Sequence, residues 1–168
     1  FGFEWREYAA MQSEGFDAVV DASANSIRAV RRSMVGHLVN GVTGVKYKNS
    51  EAKGIKTNTS VLALDLDASG LNVDLTSASL TYADAEKVFI AALKKVQGDN
   101  FVTMPLTFYV SSSIWFNLLS CKTNDSSYKP FLEALRAIPG VADIKFTTDT
   151  TVLSGNEFFA IAMSQEYI

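Results

Sequence analysis

The stretch from Phe16 to Asn40 reads as one uninterrupted amphipathic helix, and its length is the first constraint on the fold. Phe16, Val20, Ser23, Ile27, Val30, Met34 and His37 recur at alternating spacings of four and three, while Asp17, Asp21, Asn25, Arg28, Arg31 and Arg32 lie off that seam. At ~1.5 Å per residue the helix is a rod of ~37 Å, nearly the span of a small domain. A rod of that length with so narrow an apolar seam is expected to bridge layers or subunits rather than sit inside one core. Its acidic residues come early and its arginines late, the order that complements the helix macrodipole. Gly41 and Gly44 then stand where C-terminal caps are expected.

Ahead of the rod, Phe3, Trp5, Tyr8 and Met11 form an aromatic lead-in, and Ser13, Glu14 and Gly15 mark a break or a cap. After it, Lys46, Tyr47, Lys48, Lys53 and Lys56 flank a turn at Asn49 and Ser50 between two exposed extended pieces. Leu62, Leu64 and Leu66, then Leu71, Val73 and Leu75, alternate on either side of Ala68, Ser69 and Gly70, a hairpin pattern. Thr81 caps a second helix that turns Tyr82, Ala85, Phe89, Ala92, Leu93 and Val96 inward. A strand starts at Pro105 and carries Leu106, Phe108 and Val110, and Ser111 to Ser113 cap a short helix from Ile114 to Leu119. Cys121 to Ser127 reads as a polar loop. Pro130 opens a helix burying Phe131, Leu132, Leu135 and Ile138, which Pro139 and Gly140 stop. Strands are expected at Val141 to Thr147, Thr151 to Leu153 and Phe158 to Met163. The fold class is α+β, a long helix followed by a mixed sheet flanked by helices, with a division between 1–59 and 60–168.

Composition excludes more than it selects. With 168 residues of which 48% are hydrophobic, the chain can bury roughly 70% of its unfolded surface in one independent core. A net charge of -3 gives no case for a strongly basic nucleic-acid binder. Cys121 is the sole cysteine, so no intrachain disulfide or multi-cysteine metal site can form, and a cell interior fits best. The apolar runs near Val88 and Phe158 are too short for a membrane span, and no stretch reads as a secretory leader. Phe1 and Ile168 both look like cut ends of a longer protein.

No constellation of catalytic residues accompanies this architecture. Asp65, Asp67, Ser69, Gly70 and Asp74 resemble the opening of a calcium loop, yet Thr76 stands where the bidentate glutamate belongs, and a hairpin explains the residues better. His37, the only histidine, has no evident partner. Ser111, Ser112 and Ser113 lack the glycines of a nucleophile elbow, and a Cys121–His37 dyad would need the fold to join them. Neither a phosphate loop nor a dinucleotide fingerprint occurs. Lys46, Lys48, Lys53 and Lys56 fit a strand edge guarded against aggregation better than a phosphate-binding run. Arg28, Arg31 and Arg32 read as a solvated face or as a subunit contact.

The order of elements resembles the major capsid protein fold of tailed bacteriophages and prophages, shared with encapsulin shells. The rod resembles that family's spine helix; "GVKYKNSEAKGIKTNT" resembles its extended connection, and "LTYADAEKVFIAALKKV" the helix that opens its axial domain. "PLTFYVSSSIWFNLL", "FLEALRAIPGVADIKF" and the closing "AIAMSQEYI" continue the likeness.

The resemblance implies a structural, non-enzymatic subunit that self-assembles into an icosahedral shell packaging DNA without sequence specificity. No cofactor or metal is implied. Its partners would be other copies, with scaffolding and portal proteins and no membrane, and its location the virion capsid, assembled in the bacterial cytoplasm. Arg28, Arg31, Arg32 and His37 would lie near the subunit contacts, and loops such as Cys121 to Ser127 around symmetry axes. The N-terminal arm and the strands beyond Ile168 would be missing, leaving the spine bare. Two alternatives stand beside this reading: an encapsulin-like shell with protein cargo, and a small α+β binding or enzyme domain that dimerises through a coiled-coil helix.

Overall fold

The computed structural model describes residues 18–48, 50–67, 70–124 and 128–162. The aromatic lead-in, Ser13 to Gly15, the start of the rod at Phe16 and Asp17, and Met163 to Ile168 lie outside them, as do Asn49, Ala68, Ser69 and 125–127. The chain separates into two compact units, Phe1–Asn58 and Thr59–Ile168.

In the first unit, helix α1 covers Ala18–Asn40, a rod of ~35 Å. Gly41 ends it with φ at +80°, a left-handed conformation that costs an L side chain. The backbone then forms strand β1, Gly41–Tyr47, paired antiparallel with β2, Ser50–Lys53. The register jumps between Val42 and Lys46, so 43–45 bulge from the pair. After β2 the chain returns to the helix end: Ile55 N–H donates to the Leu38 carbonyl at 3.0 Å and Lys56 N–H to that of Val39 at 2.9 Å. These bonds satisfy carbonyls that a helix terminus otherwise leaves to solvent. Gly54 makes the approach possible, because a Cβ there would overlap the Gly41 amide nitrogen, the Val39 carbonyl oxygen and the Asn40 carbonyl carbon.

The second unit holds the core. Helix α2, Tyr82–Leu93, starts at Thr81, whose hydroxyl accepts from the Asp84 amide, and continues as one π-helical turn through Lys94–Gly98. Strand β3, Leu106–Ser111, is followed by helices α3, Ser112–Ser120, and α4, Phe131–Arg136, and then by strands β4, Val141–Thr147, and β5, Phe158–Ala162. The sheet order is β4-β3-β5, with β3 parallel to β4 and antiparallel to β5. Register and the two-residue side-chain period put Leu106, Phe108 and Val110 on one face with Ile144, Phe146, Phe158, Ala160 and Ala162. On that face Phe89 of α2 packs tilted against Phe108 with ring centroids 4.5 Å apart, and Trp115 of α3 stacks on Phe146 at 4.8 Å. Thr107, Tyr109, Lys145, Phe159 and Ile161 share the other face.

Two expected strand regions are corrected. The leucine-rich segment 62–75 is not a hairpin: Leu66, Val73 and Leu75 are buried, but their backbone is irregular. Its polar groups are satisfied by side chains from far along the chain. Asn156 Nδ2 donates to the Val73 carbonyl and its Oδ1 accepts from Leu75 N–H, each at 2.9 Å. Asn117 Nδ2 donates to the carbonyls of Leu75 and Ser77, each at 2.8 Å. One primary amide offers the donor and acceptor that a neighbouring strand would offer, so no ladder is needed to bury Leu75. Thr151 to Leu153 is likewise a turn, held by Val152 and Leu153 amides donating to the Asp149 carbonyl, with both apolar side chains buried.

Candidate functional site

Helix α1 carries a row of exposed apolar side chains. Ile27, Val30, Met34 and Leu38 are 53%, 58%, 65% and 64% exposed. At about 100° of rotation per residue they form one stripe along the rod, with Val35 beside it. Of the expected seam, Ile27, Val30, Met34 and His37 are all exposed, and Leu38 follows Met34 one turn on. Only Val39 of the last turns is buried, near the chain that caps the helix end. Four half-to-two-thirds exposed apolar side chains in one row are more than the single scattered apolar residues that surfaces ordinarily carry.

Charge flanks the stripe asymmetrically. Asp21 stands in the first turn, Arg28, Arg31 and Arg32 around the middle and His37 in the last turn, all exposed. Arg28 Nη1 donates to Asn25 Oδ1 at 3.1 Å, which ties the guanidinium back to its own helix. The four positions expected near a contact thus share one helix with the apolar stripe.

The candidate chemical residues are placed differently. Ser111 is buried at the end of β3; its hydroxyl donates to the Gly155 carbonyl and accepts from Ile114 N–H, the work of a helix cap. The Cys121 thiol, half-buried, points to Asn117 Oδ1 at 3.8 Å. Asp74 holds the amide and hydroxyl of Thr76, and the hydroxyl bond, with the backbone bond after it, keeps its carboxyl below the usual value. Asp65 accepts from Asp67 N–H. Among the described residues no three His, Cys, Asp or Glu side chains gather as metal ligands. Lys46 and Lys53 lie exposed on the β1–β2 pair. No helix among the described residues is long and apolar enough to cross a membrane.

An open cavity of about 570 Å³ lies in the second unit, between the start of α2 and the segment joining α3 to α4. Leu80, Tyr82, Ala83, Cys121, Phe131 and Ala134 supply its apolar wall, with Lys122 and Asn124 at its polar part. Ser112 is not among the residues that line it. This cavity had no signature in the sequence, since its walls are separated by about forty residues and only the fold joins them.

The model of one protein family, described as "Family of unknown function (DUF6260)", matches residues 1–168. The chain belongs to this family. No curated protein matches it. Membership in DUF6260 brings no activity with it, so the reading of function rests on the geometry.

Proposed function

We propose that this DUF6260 chain is a self-associating α+β subunit whose work is assembly rather than turnover, and that copies meet through the apolar stripe of α1. The exposed row Ile27, Val30, Met34 and Leu38 carries the reading. Covering each of these half-exposed side chains is worth about 1 kcal/mol, so a symmetric pair gains roughly 8 kcal/mol. Association itself costs ~4–15 kcal/mol, which makes the stripe alone a weak seam. A small binding domain paired through this helix is the reading these residues support most directly.

A closed shell is the larger assembly that the element order supports through its resemblance to phage capsid and encapsulin subunits. In that reading the same helix is a spine covered by neighbouring copies, the cargo is DNA or protein, and no catalytic residue is required. Mass photometry and negative-stain electron microscopy of the protein distinguish the cases. Discrete dimers support the helix-paired domain, and closed particles support the shell. A monomer at every concentration overturns self-association altogether.

A further inference from the structure

Strand β4 ends the described sheet on one side, with β3 as its neighbour. Two bonds fix which way the backbone of β3 faces. Ser111 N–H donates toward β5, to the Glu157 carbonyl at 3.3 Å, and Leu106 N–H donates toward β4, to the Gly140 carbonyl at 2.8 Å. With a period of two, Phe108 also turns its backbone groups to β4. In a parallel ladder such a residue bonds the two neighbours of the residue it is registered with, and that residue's own groups point away. Phe108 is registered with Ile144, so the Ile144 N–H and C=O point out along the edge of the sheet.

An outward N–H and C=O are a template for another strand. Here side chains of the same molecule already hold both. Arg136, at the end of α4, donates from Nη2 to the Ile144 carbonyl at 2.7 Å, and Ile144 N–H donates to Asp143 Oδ1 at 2.7 Å. That Nη2 and that Oδ1 lie 3.2 Å apart, which closes the ring. One donor and one acceptor thus stand where a docking strand would place its own C=O and N–H. The guanidinium lies over the Trp115 ring, 5.5 Å from its centroid, and Trp115 stacks on Phe146 of β4. Both charged side chains are 41% exposed, and an ion pair so exposed adds little stability, so its position is the informative feature. Exposed Phe116 and Phe146, ring centroids 6.2 Å apart, are the apolar surroundings in which an unguarded edge aggregates.

We infer that the Arg136–Asp143 pair is a built-in latch that occupies the pairing groups of β4 and keeps the sheet of one copy from continuing into β4 of a second copy. Two-fold pairing of this edge with itself runs antiparallel and needs the Ile144 amide hydrogen, which the latch holds. The latch acts on the sheet alone and does not depend on pairing through α1.

The test uses the full chain in a Met34→Lys background, which takes the helix seam out of the readout. Isotope-labelled protein is titrated by NMR with an acetylated peptide of the β4 sequence, Val141 to Thr147. Arg136→Ala and Asp143→Ala should each bind the peptide at least tenfold more tightly than the latched protein, with shifts at the Ile144 and Phe146 amides. Methylating the peptide backbone at its Ile144 and Lys145 amides, which blocks both of its edges, should abolish the binding. Asp143→Ala should also speed hydrogen exchange of the Ile144 amide at least tenfold. Should Arg136→Ala lose its near-UV circular dichroism, Asp143→Ala, which leaves the guanidinium on Trp115, carries the comparison. Equal binding by latched and unlatched proteins, no binding by a folded variant, binding that survives methylation, or unchanged Ile144 exchange would each overturn the inference.

Discussion

Removing the Asn156 side chain should unravel the way the second unit buries its leucine-rich segment. In Asn156→Ala, Leu75 N–H loses its acceptor and the Val73 carbonyl its donor, both at 2.9 Å, and Leu75 is fully buried. Each of these backbone groups then pays for desolvation without a partner, about 1–3 kcal/mol where water cannot enter. Asn117 still holds the Leu75 and Ser77 carbonyls, so the segment is weakened rather than released. We expect a loss of ~3 kcal/mol, roughly 15 °C in Tm for a unit of about this size, measured by thermal unfolding monitored by near-UV circular dichroism. Hydrogen exchange should show the Leu75 amide exposed first. Asn156→Asp, which keeps an acceptor for Leu75 but no donor for Val73, should fall between wild type and alanine at neutral pH. A loss below ~0.5 kcal/mol in the alanine variant, with Leu75 still protected, would show that packing alone holds the segment and refute the reasoning.

Two further outcomes follow from contacts near the helix ends. Gly54→Ala drives a Cβ into backbone atoms of Val39, Asn40 and Gly41 that have no side-chain freedom to yield, so it should cost about 3 kcal/mol and expose the Ile55 and Lys56 amides in hydrogen exchange. Unchanged protection there would remove the close approach from the account. The Asp84 carboxylate accepts from the Thr81 hydroxyl at 2.6 Å and pairs with Lys87 at 3.0 Å, the Thr81 bond being the larger cause of its lowered pKa. A carboxyl depressed in the folded state adds stability above its ordinary value and loses it as pH falls through the lowered one, so Asp84→Asn should flatten the acid limb of the stability profile, and NMR titration should place the Asp84 midpoint below that of a free aspartate.

Local chemistry was legible in the sequence where it acts over one turn. The Thr81 cap, the Ser111 cap and the Gly41 stop are read from residue type and spacing, and the alternation in Leu106, Phe108 and Val110 marks the central strand because all three are buried in the one core cluster. The same alternation in Leu62 to Leu75 misleads. There, amide side chains of Asn117 and Asn156, some forty and eighty residues away, replace the ladder, and no local pattern can announce a partner at that separation. The helix seam was readable from spacings of three and four, because a straight helix repeats its face at that period, and Ile27, Val30, Met34 and His37 on it are exposed. Arg28, Arg31, Arg32 and His37 were visible as charges, but their relation to the stripe is a matter of helix rotation. The cavity was invisible for lack of sequence continuity.

The central claim is that copies meet through the exposed stripe of α1, and Met34 lies in its middle. In a symmetric pair Met34→Lys removes two apolar side chains and sets two ammonium groups on the seam, a loss of ~3 kcal/mol or about a hundredfold in dissociation constant. Sedimentation velocity over a concentration series reads this directly. The account predicts a wild-type species heavier than the 18.3 kDa protomer that dissociates at about a hundredfold higher concentration in the variant. Identical sedimentation of the two proteins would contradict it.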